Sequence, residues 1–382
     1  MRFALVGPAH PYRGGIAQYN SALYKALSIE HEVLLISFRR QYPDLLFPGK
    51  TQTDTSHEPF VVPGERILDS LSPPSWSSVA RRILEYSPDA VVFQWWQPVF
   101  GVAYSSICKR LRARSKIPSV FLCHNILSHG ELQFPGRTSI ERFLVKRSFG
   151  HADGFLVHAE ELVRTLQEFK PNSPVRKIFL PLFEFYQRWD DEAVVESEVP
   201  RLLFFGKIRP YKGLETFLEA LTLLRGRMRF EATIAGEFYV DPRPCKKLVR
   251  ESGLEGQVTW LDRYIPNEEV PHVFRRADVV VLPYVEATQS GVVSAAYQFD
   301  VPVIASDVGG LSEIVIEGRT GGLVQPGNAA ALADKIYHYF EAEKKGEFQK
   351  NIKEFRQRMS WNQAIDNLLD LVAELRGQRG DV

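Results

Sequence analysis

Two doubly wound α/β domains of Rossmann type, each on a parallel sheet, are the fold class that this 382-residue sequence predicts. Three observations carry the prediction. Short apolar runs recur from end to end, segments of helical period separate them, and the alternation breaks once near the middle and then restarts. Strand, helix and strand repeated in this way imply parallel sheets with both faces covered by helices.

Taken in order, the runs at 3–7, 32–38, 90–94, 118–123 and 154–158 read as buried strands of a first domain, 1–180. Behind the first run, Ile16, Tyr19, Leu23 and Leu27 share one helical face. The stretch 181–200 is acidic and aperiodic, as a linker is. Runs at 201–206, 230–236, 257–261, 278–284 and 301–306 then supply a second domain, 201–360, where Leu214, Phe217, Leu218 and Leu221 repeat the helical face. The last helix, 361–382, carries a stripe through Trp361, Ala364, Ile365, Leu368, Leu369, Val372 and Leu375. It either completes the second domain or crosses back to the first.

Composition removes several classes of protein. Hydrophobic residues at 45% and charged residues at 24% belong to an ordinary globular chain. Cys108, Cys123 and Cys245 are odd in number and lack C-x-x-C spacing, so neither a disulfide framework nor a zinc knuckle is indicated. Charge and glycine come too early for a signal peptide and no 18-residue apolar run exists, so a cytoplasmic protein is expected. Residues 1–180 carry 22 basic against 15 acidic residues, and the remainder 25 against 31. The cluster Lys109, Arg110, Arg112, Arg114 and Lys116 is either a solvated helix face or a patch for an anionic membrane or acidic acceptor. It is not interleaved with a nucleic-acid reader motif, so no nucleic-acid partner is expected.

In open parallel sheets ligands bind beyond the carboxyl ends of the strands, where helix N-termini favour phosphate. Three loops qualify. The first, 7–15, sets Gly14 and Gly15 directly before a helix, allowing close approach of backbone to a ligand. It is neither G-x-G-x-x-G nor a Walker A loop. The second, 206–213, holds Lys207, Arg209 and Lys212, three cations able to neutralise a diphosphate. The third, 307–312, offers Gly309 and Gly310 ahead of Glu313. The halves echo each other, LVGPAHPYRGG against FFGKIRPYKG. Trp95 and Trp96 follow a strand, where they either stack on an acceptor sugar or pack in the core. No D-x-D triplet stands at a strand end, so no metal site is assigned.

The stretch 277–328 resembles the donor-binding half of retaining, family 4-type (group 1) glycosyltransferases of GT-B architecture. Residues 204–221 resemble that family's diphosphate loop, and GGIAQYNSAL (14–23) and FLCHNILSHGE (121–131) its glycine and histidine loops. The resemblance implies two Rossmann-like domains facing a cleft, the second binding a nucleotide sugar. Its basic pair falls on Lys207 and Lys212, with Arg209 beside the first position, where arginine is usual. Gly15, following Gly14, is placed by it near the diphosphate and sugar, and His124 at the transferred sugar. His129 and Glu131 extend the same loop as weaker candidates. Gly309, Gly310 and Glu313 complete the donor side.

One departure stands out. The family's two glutamates, eight positions apart, fall on Ala287 and Ala295, with Glu286 one residue off the first. Thr288, Gln289, Ser290 and Gly291 stand where its glycine-rich sugar-contacting turn would be, and their hydroxyl, amide and N–H groups still suit phosphate or sugar oxygens.

The expected activity is therefore metal-independent transfer of a hexosyl group from a UDP- or GDP-sugar, a co-substrate rather than a cofactor. The acceptor is a saccharide or lipid-linked saccharide in surface polysaccharide biosynthesis, reached by peripheral contact with the inner membrane face. A nucleotide-sugar epimerase of the same fold and a non-catalytic glycosyltransferase-like subunit are the alternatives.

Overall fold

The computed structural model describes residues 1–42, 51–127, 137–190 and 197–380. The chain divides into two compact units, one of 1–54, 60–179 and 361–382, the other of 55–59 and 180–360.

The first unit is a seven-stranded parallel sheet. Its strands are β1 (Arg2–Val6), β2 (Glu32–Arg40), β3 (Glu65–Asp69), β4 (Ala90–Trp95), β5 (Ser119–Cys123), β6 (Gly154–Val157) and β7 (Val175–Lys177), in the order β3-β2-β1-β4-β5-β6-β7. Helices α1 (Gly15–Leu27), α2 (Pro73–Tyr86), α3 (Gly101–Arg112), α4 (Arg137–Phe149) and α5 (Glu160–Phe169) alternate with them. Strands β4, β5 and β6 are buried along their whole length, because helices cover both faces.

The second unit has six parallel strands, β8 (Arg201–Phe205), β9 (Glu231–Ala235), β10 (Val258–Leu261), β11 (Val279–Leu282), β12 (Val303–Ser306) and β13 (Gly321–Val324), in the order β10-β9-β8-β11-β12-β13. Around them lie α6 (Leu214–Leu224), α7 (Arg243–Glu251), α8 (Val270–Arg275), α9 (Gly291–Gln298), α10 (Leu311–Ile314), α11 (Ala329–Glu341) and α12 (Lys345–Phe355). Both strand orders reverse at the first strand of the unit, which sets the ligand-binding ends of β1 and β4, and of β8 and β11, side by side.

The three strands that apolar runs do not reveal, β3, β7 and β13, all lie at sheet edges. Solvent at the sheet edge lets ERILD and VRK mix charge with their apolar residues, whereas GGLV is mostly buried and short of apolar side chains because half of it is glycine, a Cβ on Gly321 falling 1.8 Å from the Val303 carbonyl oxygen.

Residues 180–190 are packed: Leu180, Leu182, Phe183 and Tyr186 are buried, and the Asp190 carboxylate takes two bonds from Arg275, at 2.8 and 2.5 Å. The final helix, α13 (Trp361–Gly380), belongs to the first unit. Its Trp361, Leu368, Leu371, Val372 and Leu375 are buried, and Arg176 bonds Glu374 at 2.6 Å. A Cβ at Gly154 would sit 2.9 Å from the Leu375 side chain, so the helix passes close over the start of β6. No described helix is long and apolar enough to cross a membrane.

Candidate functional site

Three loops of the second unit join into one platform at the carboxyl ends of β8, β11 and β12. The loop after β8 turns at Gly206 (φ 106°) and Gly213 (φ 66°), both in the region glycine favours. A Cβ on Gly213 would lie 1.9 Å from the Pro283 carbonyl oxygen, so the loop is seated directly on the end of β11. The Val285 amide donates to the Tyr211 carbonyl at 2.7 Å, and the Gly310 amide to the Thr288 carbonyl at 3.1 Å. The loops after β8, β11 and β12 are thereby tied to one another.

Lys212 sits at the centre of this platform. It is 8% exposed, and its ammonium lies 5.1 Å over the Tyr284 ring and close above Gly206. Burial, with the Arg209 charge nearby, lowers its pKa from the ordinary lysine value. Among the described residues its ammonium has no hydrogen-bond acceptor and no carboxylate partner. Lys207 and Arg209 share the face of Tyr239, at 5.5 and 4.8 Å, so all three cations foreseen in this loop gather at one end of the sheet.

The second loop divides its work. The Ser290 hydroxyl caps α9 by accepting the Val292 amide at 3.2 Å and lies 3.4 Å from the Tyr284 hydroxyl. The Gln289 amide oxygen is buried without a hydrogen-bond partner among the described residues. Thr288 is half-buried and Glu286 exposed. A Cβ on Gly291 would come within 3.3 Å of Phe183. Ala287 and Ala295 are both buried, Ala295 inside α9, and place no carboxylate there. In the third loop Gly309 has φ 51° and is exposed, Gly310 precedes α10, and Glu313 lies half-buried in that single turn. Tyr284 and Tyr239, which sequence reasoning passed over, form the aromatic floor under the cations. The signal available was a tyrosine two residues beyond a strand end.

In the first unit the loop after β1 leads into α1 through Gly14 (φ 104°), where glycine is required by the backbone. Gly15 differs: it is exposed, and an added Cβ would meet nothing within 4 Å. His124, just past β5, is 1% exposed, and its Nε2 lies 2.8 Å from the Gln94 amide oxygen. Burial and neighbouring His158 push its pKa well below the ordinary value, so the imidazole is neutral. His129 and Glu131 lie outside the described residues.

The two tryptophans need correcting. Trp95 is fully buried, stacked on Phe121 and edge-on to Phe149, while Trp96 is 7% exposed and packs 4.3 Å from Phe100. Their ring faces are covered by core aromatics, because β4 is buried on both sides, and neither offers a stacking surface to an acceptor.

Two family models match the chain in tandem: Glycosyltransferase Family 4 over 13–179 and Glycosyl transferases group 1 over 199–342. The two parallel-sheet units and the tandem matches thus place the chain among glycosyltransferases of GT-B fold. More narrowly, it belongs to the family 4, group 1 glycosyltransferases.

Among curated proteins it is similar to the D-inositol 3-phosphate glycosyltransferase of Pseudarthrobacter chlorophenolicus, 36% identical over 41% of this chain and 37% of that protein. It is also similar to the alpha-D-kanosaminyltransferase of Streptomyces kanamyceticus, 30% identical over 36% and 35%. The chain thus spans little more than a third of the length of these relatives. Among solved structures, sucrose-phosphate synthase from Thermosynechococcus elongatus superposes with a TM-score of 0.73 at 19% identity, covering 99% of this chain and all of that one. Anabaena HepE in complex with UDP superposes at 0.71 and 16% identity over both whole chains, and the same protein is also solved with UDP-glucose. These likenesses speak for the fold.

Proposed function

We propose that the chain is a retaining glycosyltransferase that moves a sugar from a nucleoside-diphosphate sugar to a saccharide or lipid-linked saccharide in surface polysaccharide biosynthesis. The observation that carries the reading is Lys212, a buried cation with no acidic partner among the described residues, at the ligand-binding end of a parallel sheet. Such a charge is costly until an anion neutralises it, and a diphosphate does so with Lys207 and Arg209 alongside. UDP is the favoured carrier over GDP, since HepE, of the same fold, is solved with UDP.

As the glycosidic bond breaks, negative charge builds on the departing diphosphate. Lys212, Lys207 and Arg209 stabilise that charge without a metal ion, each such contact supplying about 3 kcal/mol. No protein nucleophile is assigned. Gly15, which the resemblance places near the diphosphate and sugar, has neither a backbone conformation nor a neighbour that requires glycine. His124, neutral and held by Gln94, takes a hydrogen bond with the transferred sugar.

The lipid-linked acceptor is supported by the surface of α3 and α4. Val102, Ile140 and Phe143 there, with Val99 in the turn before α3, are 42–62% exposed, close in sequence to Lys109, Lys146 and Arg147.

Calorimetry with UDP, GDP and ADP, with and without magnesium, tests the proposal. UDP binding that needs no metal is expected, weakened roughly 100-fold by Lys212→Ala and unchanged by Lys109→Ala. Equal effects of the two substitutions would remove the donor site from the platform. A dependence on magnesium would remove the metal-free scheme.

A further inference from the structure

A polar cluster is enclosed at the carboxyl ends of β4, β5 and β6, three neighbouring strands whose other buried residues, Ser119 apart, are apolar. Gln94 is the one polar side chain of the fully buried β4, His124 follows β5, and His158 follows β6. The imidazole rings of His124 and His158 are 5.2 Å apart, and Tyr19 from α1 stands edge-on to both, at 4.8 and 5.5 Å. Trp361 of α13 closes the cluster against Tyr19 at 5.2 Å. His158 Nδ1 lies 3.3 Å from the Ile178 carbonyl, and its Nε2 is buried without a hydrogen-bond partner among the described residues.

The chemistry of these groups is restrictive. An amide oxygen and a backbone carbonyl only accept, so the nitrogen facing each carries the hydrogen. His124 is then protonated on Nε2 and bare on Nδ1, an acceptor. The groups that face it are Tyr19, Gln94 and His158, and among the described residues no carboxylate touches the ring.

We propose that Gln94 is a positioning residue that holds His124 in the Nε2–H tautomer, so that Nδ1 accepts a hydrogen bond from a hydroxyl of the transferred sugar, while Tyr19 and His158 fix the ring plane. This deepens the glycosyltransferase reading and rests on it for the sugar. It assigns a specificity: a donor sugar that is deoxy or O-methylated at the contacted position has no hydrogen to give and is turned over poorly.

The test is a long-range ¹H–¹⁵N spectrum of the full chain, read without any substrate. His124 is expected to show a protonated Nε2 and a bare Nδ1 over about pH 6 to 8. Gln94→Leu should give a mixture of tautomers, and Gln94→Glu should keep the tautomer while moving the His124 titration upward. A native His124 protonated on Nδ1, or a tautomer indifferent to Gln94→Leu, overturns the proposal. In the same variants, turnover of UDP-sugar by Gln94→Leu should fall roughly tenfold or more at little changed donor KM, with recovery in Gln94→Glu. Loss of turnover that Gln94→Glu does not restore points to a structural role and overturns it too. Because the spectrum needs no donor, failure to bind any nucleotide refutes the glycosyltransferase reading separately.

Discussion

Buried ionisable groups give this protein its sharpest local chemistry. Burial lowers the pKa of His158 from 6.5 to about 4, and that of His124 falls well below 6.5. In the unfolded chain both titrate near 6.5, so between there and about pH 4 the unfolded state binds more protons. Stability therefore falls as pH drops through that window, and the His158 contribution levels off below it. Urea denaturation at pH 7 and pH 5 should show the loss, and His158→Phe should remove part of it. An unchanged acid dependence in that variant would mean that His158 is not buried neutral. Lys212 runs in the opposite region: its depressed pKa makes the unliganded fold more stable as pH rises toward the ordinary lysine value. An anion bound beside the ammonium should reverse that trend.

At the scale of elements, strand-to-helix loops determine what each glycine is for. Gly213 combines φ 66° with a virtual Cβ 1.9 Å from a backbone oxygen that cannot move without displacing β11. Gly15 has open space and an ordinary φ. Gly213→Ala is therefore expected to destabilise the second unit by about 2 kcal/mol or more. Gly15→Ala should leave the melting temperature within about a degree of the native protein while lowering turnover of the donor. Thermal melts paired with a nucleotide-release assay separate the two. A destabilised Gly15→Ala would return that residue to a purely structural role. Ser290 and Gly310 show the same economy, as the cap of α9 and the tie to Thr288 build the site from the devices that end and start the elements.

For the whole molecule, the exposed residues on α3 and α4 carry the membrane prediction. Arg112 is bonded to Asp153 at 2.6 Å and Arg110 to Ser106, so both serve the fold. Vesicles containing about one-third anionic lipid should retain the protein, and Phe143→Asp together with Lys146→Glu should release it without altering UDP binding. Retention that ignores both substitutions would place any membrane contact elsewhere.

The periodicities of the sequence determined two parallel sheets with alternating helices, because buried strands and amphipathic helices differ in apolar spacing however the chain is arranged. The cationic loop was legible for a similar reason: Lys207, Arg209 and Lys212 lie within six residues, at a strand end that topology makes a binding end. Burial was not legible. Trp95 and Trp96 looked available for stacking until the aromatic core of the first unit covered them. Gln94, Tyr19 and His158 are dispersed over 140 residues and meet only because β4, β5, β6 and α1 are brought together, so no local spacing announced them. Strands β3 and β7 stayed hidden because solvent at the sheet edge relaxes the apolar pattern, and β13 because two of its four residues are glycine. Local chemistry is written along the chain. Which side chains lose water, and which distant groups share a proton, is decided by the packing of elements far apart in sequence.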